Sequence, residues 1–117
     1  MRNPRKLRAF ELADQLVVEI YRVSRQFPRE ELYGLTSQIR RAAVSVPTNI
    51  VEGCARNTEK DFVHFLHISY GSLAEVGYLI ELSNKLDFLD DEQAAEVYEL
   101  QLEAYRVLFG LIKSLSP

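Results

Sequence analysis

From Phe10 to Gln26 the apolar positions Ala13, Leu16, Val17, Ile20 and Val23 recur every three or four residues, the spacing that gives a helix one buried stripe. Phe27-Pro28 ends the run, because proline has no N–H and pushes the preceding residue out of the α region. Beyond Gly34 the same period returns in Leu35, Ile39, Ala42, Ala43, Val46 and Ile50 and runs to about Arg56, with Pro47 inside it. Pro47 removes one ladder bond and crowds the Ala43 carbonyl, which predicts a kink there or a break near Val46. Thr58-Glu59-Lys60-Asp61 reads as an N-cap with an acidic first turn, opening a third run through Phe62, Phe65, Leu66, Ser69, Leu73, Val76 and Ile80. Asp90 with Gln93 three residues on is a second capping signal, followed by Ala94, Val97, Tyr98, Tyr105, Leu108, Phe109 and Ile112.

The pattern predicts helices over 10–26, 35–56, 59–86 and 91–115. Short connections favour antiparallel neighbours, so the expected fold class is all-α, a single up-and-down antiparallel four-helix bundle over residues 1–117. Composition agrees. The chain has 117 residues, 47% apolar and 26% charged, with five Gly and four Pro, which excludes disorder and turn-dense β architectures. Cys54 is the lone cysteine, so neither an internal disulfide nor a cysteine-pair zinc site can staple the fold. No apolar run has the length of a signal peptide or a membrane span. The expected location is therefore cytoplasmic, with no membrane partner.

Charge changes the picture more than composition does. The net value is −3, yet residues 1–60 carry eleven Lys and Arg against seven acids, for +4, whereas residues 61–117 carry three against ten, for −7. The densest basic cluster, Arg2, Arg5, Lys6 and Arg8, lies in residues 1–9 with Asn3 and Pro4 and reads as a mobile arm. Such an arm is either a solubilising terminus or a weak, salt-sensitive phosphate binder that gains force when repeated around an oligomer.

The second helix has two apolar sides. On a wheel, Leu35, Ile39, Ala42, Val46 and Ile50 form the core stripe, while Val44, Pro47, Val51 and Ala55 fall roughly 135° away, where a bundle helix is normally polar. Gln38, Arg41, Ser45, Asn49, Glu52 and Arg56 make a polar stripe whose longer members can pair along the helix or with an acid on a neighbour. The third helix repeats the pattern more weakly: Ile68, Gly71, Tyr78 and Leu82, with Glu75 among them, lie opposite its core stripe. These faces are either ordinary scattered surface apolars or the joints of a homo-oligomer, with Glu75 paired to a base such as Arg41.

The segment from Tyr33 to Gly53 carries Gln38, the paired Arg40-Arg41, Ser45-Val46-Pro47 and Asn49-Ile50-Val51-Glu52-Gly53 in order, and Gly71-Ser72-Leu73-Ala74-Glu75 follows downstream. In these residues, and over nearly its whole length, the chain resembles the bacterial four-helix-bundle proteins of the 23S rRNA intervening-sequence family. Val51 stands where alanine is usual, and Ser69-Tyr70 where a small residue commonly precedes Gly-Ser-Leu. The resemblance implies a bundle that assembles into a homopentamer, and it implies no enzyme. It extends to accessory proteins of diversity-generating retroelements, which partner a reverse transcriptase and nucleic acid but are markedly basic, unlike this chain. Gln38, Arg41, Asn49, Glu52 and Glu75 are carried over as signature residues of structural or interface importance.

Catalytic readings find little to stand on. Asp61, His64 and His67 are the one histidine-containing cluster, and a carboxylate-x-x-histidine motif needs a second copy plus two further carboxylates to build a bundle di-iron site. Cys54 beside Arg56 reads as a small buried filler rather than a nucleophile. No phosphate loop, nucleophile elbow or dinucleotide fingerprint is present. The expectation is a non-enzymatic oligomeric scaffold or adaptor without cofactor, whose partners are itself and further proteins or nucleic acid. The competing one is an RNA- or DNA-binding accessory protein using the arms with Arg22, Arg25 and Arg29 on one face of a ring.

Overall fold

A computed structural model of the chain describes residues 2–115, so Met1 of the expected arm and the last two residues of the expected domain lie outside the described residues. Four helices carry the fold: α1 (Arg8–Ser24), α2 (Leu35–Cys54), α3 (Glu59–Lys85) and α4 (Asp91–Leu115). There is no strand among the described residues. Adjacent helices run antiparallel, and bonds along their contacts tie them together. Arg40 Nε donates to Ser24 Oγ and Arg2 N–H to the Cys54 carbonyl, while Ser45 meets Ser72 and Ser69 Oγ donates to the Val46 carbonyl. Gln26 bonds Gln93 near one end of the α1–α4 contact and Arg8 bonds Glu103 farther along it. The result is an up-and-down bundle of 43 × 24 × 20 Å.

The expected stripes form the core. Leu12, Leu16 and Ile20 of α1, Ile39, Val46 and Ile50 of α2, Phe62, Leu66, Leu73 and Ile80 of α3, and Leu108 of α4 are fully buried, each worth about 1.5–3 kcal/mol of transfer free energy. The caps fall where the sequence signals placed them. Thr58 Oγ1 accepts from Asp61 N–H, and Asp90 and Gln93 exchange reciprocal bonds of 2.8 and 3.1 Å, satisfying N-terminal amides that the helix ladder leaves open.

Three expectations are corrected. The basic segment is not a mobile arm: Asn3 caps a 3₁₀ turn at Pro4–Lys6, where proline's fixed φ suits the first position, and α1 follows from Arg8 rather than from residue 10. Helix α1 ends at Ser24 and α2 at Cys54, two residues short of each expected end, because the closing bonds there tighten to i→i+3 type, as in Phe27 N–H to the Ser24 carbonyl and Arg56 N–H to the Gly53 carbonyl. Helix α2 also runs unbroken through Pro47, so of the expected kink or break the break does not occur, and the ring is buried instead of lying on an outer apolar face. Hydroxyls satisfy carbonyls around it, with Thr48 Oγ1 donating to the Val44 carbonyl and Ser69 Oγ to the Val46 carbonyl.

Candidate functional site

The outward faces of α2 and α3 carry the residues singled out in the sequence. Val44 and Val51 on α2 are exposed, as are Ile68, Gly71 and Tyr78 on α3, with Tyr78 57% accessible. The core is complete beneath them, so these side chains meet no partner within the chain's own interior. A Cβ at Gly71 would meet nothing within 4 Å. Arg41 and Glu75 are both exposed, and neither forms an ion pair among the described residues. Glu52 pairs with Arg56 one turn on at 3.8 Å, as the polar stripe predicted. Exposed apolar groups are not confined to these helices: Val18 and Tyr21 of α1 and Tyr98 and Phe109 of α4 are also accessible.

Part of the signature faces inward between α2 and α3. Asn49 Nδ2 donates to the Ser45 carbonyl and Ser45 Oγ, and Ser45 Oγ lies 2.8 Å from Ser72 Oγ, a polar seam joining the two helices. At Gly53 the helices approach closely, since a Cβ there would stand 3.0 Å from Phe65 Cβ and 3.2 Å from the Phe62 carbonyl. Gln38 is exposed.

The basic candidates divide into two groups at opposite ends of α1. At one end Arg2 pairs with Glu59 at 3.0 Å and covers the Phe62 ring, Arg5 lies over Phe10, and Arg8 bridges Glu11 and Glu103; Lys6 is exposed. Some 25 Å away by the rise of α1, Arg22 pairs with Glu19, whereas Arg25 and Arg29 line a concave pocket together with Arg40. The seven basic residues therefore do not converge, and acids within the chain neutralise Arg2 and Arg8. Arg40 is the functional candidate that the sequence reading missed. On a wheel it lies 100° from Arg41, on the α1 side of α2, and that separation is the signal that distinguishes the two.

Other groups are accounted for by packing. Burial raises the Cys54 thiol, with nearby Arg2 opposing, so it sits as an apolar filler. Tyr70 stacks on Tyr105 at 4.2 Å, and this neighbouring phenol, followed by desolvation, pushes its own phenol up to about 12. Gln101 is buried, its Nε2 donating to the Leu73 carbonyl across the α3–α4 contact while Gly77 leaves it room. Asp61, His64 and His67 are exposed, and among the described residues no three His, Cys, Asp or Glu side chains gather as metal ligands. No described helix is long and apolar enough to cross a membrane.

Fold and surface together define an all-α protein built as four antiparallel helices, with apolar groups left on outer helix faces and basic groups split between its ends. The chain belongs to the 23S rRNA-intervening sequence protein family, whose sequence profile matches residues 5–110. Among solved structures it is similar to a protein of unknown function from the S23 ribosomal protein family of Bacteroides thetaiotaomicron, with a TM-score of 0.83 and 23% identity over 90% of this chain and 95% of that one. At that identity the likeness is one of fold. No protein with a curated description matches the chain.

Proposed function

We propose that this chain is a non-enzymatic, cytoplasmic scaffold or adaptor that works as a homopentamer joined through the outer faces of α2 and α3. The observation that carries the reading is the set Val44, Val51, Ile68 and Tyr78, exposed on helices whose own core is already filled. Apolar surface of that kind on a soluble bundle marks an interaction site. Open Gly71 allows a close approach, and Arg41 and Glu75 supply a charge pair for the joint. Light scattering tests it: a particle of about five times the 13.5 kDa subunit is expected, and a monodisperse single-chain mass at micromolar concentration would overturn it.

A second reading, a nucleic-acid-binding accessory protein with RNA or DNA and a protein such as a reverse transcriptase as partners, is favoured by the three arginines gathered at the α1–α2 end. Retardation of an RNA oligonucleotide that weakens steeply with salt supports it; no retardation at low salt removes it.

A further inference from the structure

We infer that the cavity between the end of α1 and the start of α2 is a phosphate-binding pocket held by Arg25, Arg29 and Arg40. The cavity measures about 300 Å³ and is lined by these three arginine residues together with Ser24, Thr36 and Phe27. No described carboxylate pairs with any of the three. Glu31, the acid next to the turn, is occupied in accepting the Leu35 N–H at 3.0 Å. Three arginines around one concavity raise the local positive potential, which favours an anion there.

Arg40 is held ready for this role. Its Nε donates to the buried Ser24 Oγ at 2.8 Å and its guanidinium lies 4.7 Å over the Tyr21 ring, which fixes the plane of the fork and leaves its terminal nitrogens to bind. A planar guanidinium matches two oxygens of a phosphate with two parallel hydrogen bonds. Thr36, buried in the first turn of the twenty-residue α2, brings a hydroxyl to the cavity's lining. Phe27 gives the cavity an apolar wall, suited to the sugar or base that accompanies a phosphate ester.

Two sources supply this chemistry, the phosphodiester backbone of a nucleic acid and free phosphate. Arg25 and Arg29 are exposed, so the double variant Arg25→Gln/Arg29→Gln keeps the core intact, with circular dichroism as the check. Arg106→Gln/Lys113→Gln removes the same charge from α4. Thermal unfolding is followed against inorganic phosphate at constant ionic strength, and a labelled single-stranded RNA oligonucleotide is titrated by anisotropy. Phosphate is expected to raise the melting temperature of the parent and the α4 variant saturably, with the rise lost in the pocket variant. Oligonucleotide affinity is expected to fall about tenfold or more in the pocket variant and less than about twofold in the control.

A pocket-specific loss in either readout supports the site. Loss in the oligonucleotide arm assigns the phosphate to a nucleic-acid backbone, and loss in the phosphate arm alone assigns it to free phosphate and counts against the second reading above while the pocket stands. Behaviour of the pocket variant indistinguishable from the α4 variant in both readouts would overturn the inference. The outcome is independent of particle mass, so it fails or succeeds separately from the pentamer.

Discussion

At Gly53 the α2–α3 contact is tight for a methyl group, because the atoms it would crowd at 3.0–3.2 Å include the Phe62 carbonyl, which gives way only by shifting helix backbone. Gly53→Ala is therefore expected to destabilise the fold by about 1–3 kcal/mol despite alanine's better helix propensity, as measured by urea unfolding. Tyr70 makes a different test. Its folded pKa of about 12 lies above the ordinary 10, so the native state holds the proton more tightly than the unfolded chain does. The associated stability is complete below pH 10 and is lost as pH rises toward 12. Tyr105→Phe removes the cause, and spectrophotometric titration should then show the high-pKa tyrosine step move down toward 10.

The ends of the helices show how local chemistry sets an element's limits. Helix α3 stops in a left-handed turn at Asp87, φ 63°, with Phe88 N–H bonded to the Ser83 carbonyl and Asp87 N–H to the Asn84 carbonyl. That position favours glycine, which has no Cβ to strain. Asp87→Gly should raise stability by several tenths to about 1 kcal/mol, seen as an increased melting temperature, and an unchanged or lower value would count against this account of the turn. In the middle of α2 the local rule yields to context. Proline's cost remains, but the ring is buried in the packed α2, and the tertiary bond from Ser69 Oγ to the Val46 carbonyl ties α2 to α3 beside it.

For the whole molecule, Gly71 separates the stability of one subunit from its assembly. With open space around it, Gly71→Ala should stabilise an isolated subunit by about 1 kcal/mol through helix propensity. In a pentamer that uses the small residue for close approach, the same change is expected to shift the particle toward lower mass at dilution. Parallel unfolding and light-scattering measurements therefore move in opposite directions if α3 forms the joint. A gain in stability with unchanged particle mass would place the joint elsewhere on the surface, where Val18 and Phe109 are also exposed.

Four helices, their antiparallel order, two of the caps and the core stripes were legible in the chain because period, capping spacing and loop length are local quantities. Whether residues 2–8 float or dock was not, since Arg2 finds Glu59 and Phe62, and Arg8 finds Glu103, only after the helices are packed. The split of the paired arginines has the same origin. Arg40 and Arg41 look equivalent as neighbours in sequence, yet packing of α2 against α1 sends Arg40 to Ser24 and the phosphate pocket and leaves Arg41 on the outer surface. Periodicity says which side of a helix is apolar; the position of every other helix decides which charges end up facing one another.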